Sequence, residues 1–211
     1  MPDYKGNHKK DPHYQQAKKQ GYRSRAFAKL LDIQKRYNIF KRAFYILDLG
    51  CAPGSWLQVA KKYAVDNIIK YKDQYYHRDY YKILGVDIKK VSPIEDVEIL
   101  SMDFTLPAFH KKLELFFHDK LDLIISDASV NKIGNKFTDH LNQIKLCYKI
   151  IEITEAHLKF KGSFVMKTFQ GAEFNNLIKK LKPEFRILKT FKPGSSKKKS
   201  NEIYLIGMQR K

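Results

Sequence analysis

The chain has 211 residues, 43% of them hydrophobic, enough for one domain with a sizeable core and too few for two ordinary ones. Forty-one Lys and Arg against 22 Asp and Glu leave a formal net charge of +19; such a field attracts a polyanion, with nucleic acid the first candidate, although a Lys-rich composition also follows from biased codon usage. Only two cysteines, Cys51 and Cys147, are present, which excludes a disulfide framework or a cysteine zinc site, and no apolar run approaches the roughly 18 residues of a membrane span, so a soluble protein in a reducing compartment is expected.

In chain order, residues 1–21 are polar and basic, with Pro2, Gly6 and Pro12 breaking any periodicity, and read as a flexible arm ahead of a catalytic domain over 22–211. Between 22 and 37 the set Phe27, Leu30, Leu31 and Ile33 has helical spacing. Residues 44–49 form a short apolar run that enters Asp48-Leu49-Gly50-Cys51-Ala52-Pro53-Gly54, and Trp56, Leu57, Val59 and Ala60 suggest a helix after it. This strand, glycine loop and helix open a Rossmann-type unit. The Tyr- and Lys-rich stretch 64–81 is too long and polar for an ordinary connection and is read as a mobile insertion.

Three further strand candidates follow, each ending in or near an acid: 83–86 at Asp87, 97–101 before Asp103, and 121–126 at Asp127. Carboxyl ends of parallel strands are where such folds bind ligands. A long helix is predicted over 137–160, a strand over 162–168, a helix over 173–181, and two closing strands over 185–191 and 202–209 that suggest a hairpin-like edge. The alternation specifies an α/β fold with a mostly parallel sheet.

The loop follows D-x-G-x-x-P-G, not the G-x-G-x-x-G of dinucleotide binding, which disfavours a nicotinamide dehydrogenase. Gly50 and Gly54 would let the backbone approach a ligand closely, with Trp56 opening the helix and packing beside that ligand. Asp87, 37 positions after Gly50, would bind ribose hydroxyls. The usual spacing is about 20, and the insertion explains the excess. Read as plain structure, the glycines only turn the chain and Asp87 only caps a helix.

Lys29 in Tyr22-Arg23-Ser24-Arg25-Ala26-Phe27-Ala28-Lys29-Leu30, Asp127 in Ile125-Ser126-Asp127-Ala128, Lys167 in Phe164-Val165-Met166-Lys167-Thr168-Phe169 and Glu202 in Ser200-Asn201-Glu202-Ile203-Tyr204 occur in a fixed order. Their order and surroundings resemble the Lys-Asp-Lys-Glu tetrad of the FtsJ/RrmJ family of RNA 2'-O-methyltransferases, over nearly the whole chain from about Tyr14. Within that family the likeness is greatest to the large-subunit rRNA uridine 2'-O-methyltransferases of bacteria and mitochondria. The resemblance implies a Rossmann-like methyltransferase fold with a seven-stranded, mostly parallel sheet, an antiparallel C-terminal strand and helices on both faces. It implies S-adenosylmethionine as cofactor, S-adenosylhomocysteine as product and no required metal. It also implies a cofactor site at Gly50, Gly54, Ser55, Trp56, Asp87, Asp103 and Asp127, and a monomer acting on large-subunit rRNA or a ribosomal particle. Two departures stand out: Ala128-Ser129-Val130 replaces the family's Met-Ala-Pro after Asp127, and Ser55 replaces a glycine.

The chemistry can be argued from the residues. A ribose 2'-hydroxyl is a poor nucleophile until its proton leaves, so a base is needed. Lys167 lies amid Phe164, Val165 and Met166, a buried-strand pattern in which a lysine requires a partner or a function. Burial and a second cation, Lys29, both favour a neutral amine, and Asp127 and Glu202 would orient the two lysines. Taken singly, Lys29, Asp127 and Glu202 also read as a solvated helix residue, a strand-end cap and an edge-strand charge.

Basic residues gather at the chain ends, eight against two acids over 1–29 and eleven against two over 179–211. Arg23, Arg25, Lys197, Lys198 and Lys199 are therefore candidate RNA-phosphate ligands, with a merely solvated tail as the alternative. Methylation of tRNA or an mRNA cap uses the same tetrad, and a catalytically silent ribosome-assembly factor would keep the same fold. The resemblance places the protein in a mitochondrion or another organelle, with cytoplasm or nucleolus as alternatives.

Overall fold

The computed structural model describes residues 11–71, 79–130, 134–171, 173–197 and 200–211. In chain order the elements are α1 (Pro12–Lys19), α2 (Phe27–Tyr37), β1 (Tyr45–Leu49), α3 (Ser55–Tyr71), β2 (Lys82–Asp87), β3 (Glu98–Ser101), α4 (Ala108–Phe117), β4 (Leu121–Ser126), α5 (Lys136–His157), β5 (Leu158–Phe169), α6 (Phe174–Leu181), β6 (Phe185–Phe191) and β7 (Glu202–Arg210).

The seven strands form one sheet in the order β3-β2-β1-β4-β5-β7-β6. Pairing is parallel from β3 to β5, while β7 runs antiparallel to both β5 and β6. The closing pair is thus antiparallel as expected, with β7 inside and β6 at the edge. Side chains alternate between two cores, as the two-residue strand period requires. Leu47, Leu49, Ile124, Phe164, Met166 and Leu205 meet α4, α5 and α6 on one face. Ile46, Leu123, Ile125, Val165, Tyr204 and Ile206 meet α1, α2 and α3 on the other. Every residue of β1 and β4 is buried, as covering both faces of a parallel sheet demands.

Two expectations are corrected here. Of the arm 1–21, residues 1–10 lie outside the described residues, but Pro12–Lys19 is a helix and not a loop. Pro12 sits in its first turn, where its missing N–H costs nothing, and the Asp11 side chain accepts from the His13 and Tyr14 amides. Ala17 anchors the helix in the core. Of the supposed insertion 64–81, the first part continues α3 to Tyr71, with Ala64 and Asn67 buried. Asn67 Nδ2 donates to the Phe40 and Ala43 carbonyls. Residues 72–78 lie outside the described residues.

At the end of α5, His157 is buried and its Nε2 lies 2.8 Å from His110 Nδ1. Burial, then the nearby His110 and Lys120, hold the ring down to about 4 against an ordinary 6.5. A group whose folded pKa is depressed contributes stability above its unfolded pKa and loses it as pH falls through the folded one. Unfolding free energy should therefore decline between pH 6.5 and about 4, and His157→Leu should flatten that slope. Denaturant titrations with equal slopes for the two proteins would rule out the ring as the source.

Candidate active site

The carboxyl ends of β1, β2 and β4 open into a cleft of about 600 Å³ lined by Gly50, Pro53, Asp87, Asp103, Phe104 and Asp127 among others. It lies where β1 has neighbours on both sides and the crossovers diverge, the usual ligand position of an open α/β sheet. Gly50 makes the floor possible: its φ is +77°, and an added Cβ would lie 2.5 Å from the Ala128 Cβ. The Gly50 and Cys51 amides donate to the Val86 carbonyl, which ties the loop to β2.

Asp87 ends β2 with both oxygens held, Oδ2 by the Ala52 amide at 2.9 Å and Oδ1 by the Lys89 amide at 2.8 Å. Asp103 Oδ1 accepts from the Thr105 amide and hydroxyl. Beneath the loop, Asp48 is 1% exposed and neither carboxyl oxygen has a hydrogen-bond partner among the described residues. Burial first, then the charges of Asp127 and Asp87, push this carboxyl well above the usual carboxylate range. Three carboxylates in the wall, Asp87, Asp103 and Asp127, make an acceptor set suited to a ligand with ribose hydroxyls and positive charge, which is the chemistry of S-adenosylmethionine. Residues that would hold it are Gly50, Asp87, Asp103 and Asp127.

Gly54, Ser55 and Trp56 follow Pro53 of the cleft wall and are not among the residues that line it. A Cβ at Gly54 would sit 2.8 Å from Arg23 Nη1. Ser55 Oγ is 2.8 Å from Ser24 Oγ, and Trp56 Nε1 donates to the Ala26 carbonyl at 2.9 Å. Their side chains clamp the start of α2 onto the loop, just before Lys29.

The tetrad assembles as two ion pairs. Lys29 Nζ is 2.7 Å from Glu202 Oε1, and Lys167 Nζ is 3.1 Å from Asp127 Oδ1 and also donates to the Asp127 carbonyl. Each amine thus has its own carboxylate, and the Lys167 charge also acts on Glu202. The antiparallel β7 achieves this, because its first residues lie at the carboxyl end of β5: Glu202 pairs with Phe169 and Tyr204 with Lys167.

Tyr204, which no sequence motif marks, joins the two pairs. Its hydroxyl donates to Asp127 Oδ1 at 2.6 Å, and Lys29 Nζ stands 5.9 Å from its ring centre. Burial and the Asp127 charge push the phenol well above its ordinary range, so it stays a donor. Burial alone would raise Glu202, but bonds from Lys29 and Ser196 outweigh it and hold the carboxyl below its usual value. Gln143, equally unmarked, accepts from the Val130 amide at 3.1 Å and fixes the loop that lacks the family's proline. Only the sheet register and the packing of α5 reveal these two residues.

Of the proposed RNA ligands, Arg23 donates to the Pro53, Ser92 and Pro93 carbonyls and Arg25 is paired with Asp11. Lys197 is exposed next to Ser196, whose hydroxyl bonds Glu202, while Lys198 and Lys199 lie outside the described residues.

Residues 22–210 match the family described as FtsJ-like methyltransferase. The chain is 38% identical over 201 residues to the ribosomal RNA large subunit methyltransferase E of Rickettsia felis, spanning 95% of this chain and 85% of the relative. It is 38% identical over 200 residues to the protein of that name from Methanosarcina acetivorans, spanning 94% and 68%. A crystal structure from Plasmodium falciparum, described as a ribosomal RNA methyltransferase, superimposes with TM-score 0.73 at 34% identity, covering 90% of this chain and 98% of that one. Fibrillarin of Aeropyrum pernix, solved with S-adenosyl-L-methionine, shares the fold alone, with TM-score 0.51 at 14% identity over 89% and 75% of the two chains.

Proposed function

Since the chain belongs to the FtsJ-like methyltransferase family, we propose that it transfers methyl from S-adenosylmethionine to a ribose 2'-hydroxyl of RNA, a uridine of large-subunit ribosomal RNA. The observation that carries this reading is the buried Lys167 and the half-buried Lys29 at one end of the sheet, each held by a carboxylate and linked through Tyr204, beside an acidic cleft. The names of the relatives supply the rRNA.

When bound, S-adenosylmethionine supplies a methyl group on a positively charged sulfur, open to in-line attack with the electron pair leaving on that sulfur. Every other part belongs to the protein. In its amine form Lys167 would accept the 2'-hydroxyl proton on Nζ as the oxygen–carbon bond forms. Asp127 Oδ1 and the Asp127 carbonyl already face that nitrogen and meet the ammonium so produced. Tyr204 holds the same carboxylate oxygen and fixes its direction, while the Lys29–Glu202 pair borders the hydroxyl. Much of the rate should come from holding oxygen, methyl and sulfur in line.

The test is transfer of labelled methyl to large-subunit rRNA, followed by alkaline hydrolysis. A 2'-O-methyl blocks cleavage at its own linkage, so label is expected in alkali-resistant dinucleotides. Label released in mononucleotides would place the methyl on a base and refute the reading. Label found in tRNA or capped mRNA but absent from rRNA would move the substrate. Asp87→Ala should weaken S-adenosylmethionine binding by about 1 to 3 kcal/mol, as loss of a charged hydrogen-bonding partner does. Calorimetry returning the unmutated affinity would put the ribose elsewhere.

A further inference from the structure

At the opposite end of the sheet, a second cavity of about 150 Å³ opens between the α2–β1 connection and the start of β5, lined by Lys41, Arg42, Asp122, Lys159 and Lys161 among others. Four cations against one carboxylate leave a formal excess of three positive charges. The site is built by the backbone. Asp122 is buried, and its Oδ2 accepts from the Phe44 and Tyr45 amides at 2.7 Å each, which fixes the first strand ends. Lys159 is paired with the same carboxylate.

Beyond it the β4–β5 register jumps from Leu121↔Leu158 to Leu123↔Ser163, so residues 159–162 bulge out of the ladder. Arg42 (φ +58°) and Lys161 (φ +61°) both stand in left-handed backbone, uncommon for residues other than glycine. Phe160, 58% exposed, lies beside them, with Lys161 Nζ 5.3 Å from its ring centre. The bulge thus leaves the Lys161 ammonium and the Phe160 ring exposed side by side. Basic side chains for phosphates beside a ring for stacking are what RNA binding uses.

We propose that this rear cavity is a second RNA-binding site that takes a backbone phosphate of the substrate, with Phe160 against a flanking base. The proposal rests on the RNA reading above. Along β4, from Asp122 to Asp127, five residue steps of about 3.3 Å put the two sites about 17 Å apart. An RNA that occupies both must follow the surface around the sheet, a path longer than that separation, which a large folded RNA provides. The enzyme thereby selects bulky RNA by a contact remote from the methylated ribose.

The test is a Lys41→Gln, Lys161→Asn double variant, in which asparagine suits the left-handed position and neither exposed side chain borders the catalytic cleft. Binding of protein-free large-subunit rRNA should weaken on the order of tenfold, with the log-log salt slope shallower by about 0.9 for each duplex phosphate no longer neutralised. Methyl transfer should show a raised KM at unchanged kcat. Unchanged affinity and slope would overturn the proposal. So would weaker binding to ribosomal subunits with normal binding to naked rRNA, which would assign the cavity to an acidic protein. If the unmutated protein transfers no methyl to any RNA, the proposed function falls, while the rRNA-binding comparison still decides this site.

Discussion

Lys167→Ala should bind S-adenosylmethionine and RNA normally yet lose turnover by about 10²- to 10⁴-fold, the usual contribution of general-base catalysis, with any misplacement of the hydroxyl adding to the loss. The side chain is 9% exposed and paired with Asp127, so truncation leaves a carboxylate that still accepts from Tyr204 and still borders solvent. The fold should therefore survive, and the loss should fall on kcat. Single-turnover transfer of labelled methyl, with calorimetry on the same preparation, separates the outcomes. Near-normal turnover in Lys167→Ala beside a dead Asp127→Ala would reduce Lys167 to a structural cation.

Gly50→Ala should be damaging for a different reason. At φ +77° an alanine accepts left-handed backbone at about 1 to 2 kcal/mol, and its Cβ falls 2.5 Å from the Ala128 Cβ and 2.8 Å from the Ala128 Cα, overpacking that typically costs about 1 to 3 more. Neither neighbour is the far end of a flexible side chain, so the loop or the β4 end must move. Together the effects reach about 2 to 5 kcal/mol, a fall in Tm of about 5 to 15 °C for a domain of this size. Because Gly50 and Ala128 both line the cleft, cofactor affinity should fall with stability. A melting curve and an affinity both matching the unmutated protein would show that the loop does not need its glycine.

The parallel strands are legible in the sequence because a sheet buried on both faces writes continuous apolar runs, and 121–126 reads with the bounds it has; the antiparallel edge strand 185–191 also reads with its bounds. The helix α4 escapes such a reading although Phe109, Leu113, Phe116 and Phe117 carry its period; they fall between two strand-end acids and invite reading as a connection. Pro12 looks like a breaker, yet behind Asp11 it starts a helix. The tetrad is visible in order and context, but its pairing is not. Which lysine meets which carboxylate depends on the β5–β7 register, and no local pattern records it. The partners of Arg23 and Arg25 are not legible either, because charge alone does not say whether a guanidinium faces solvent, a carboxylate or a ring of carbonyls.

The place of β7 between β5 and β6 bears on the order in which a newly made chain becomes competent. Chain emerging from a ribosome through residue 191 holds the cofactor loop, Lys29, Asp127 and Lys167, but β6 bonds only to β7 in the finished sheet and has nothing yet to join. Until residues 202–210 thread into that gap, the edge of β5 stays open, Lys29 has no Glu202, and Asp127 has no Tyr204. The Lys29–Glu202 and Tyr204–Asp127 contacts therefore form only after residues 202–210 have been made, so the site is assembled later than the cofactor loop that opens the chain's sheet.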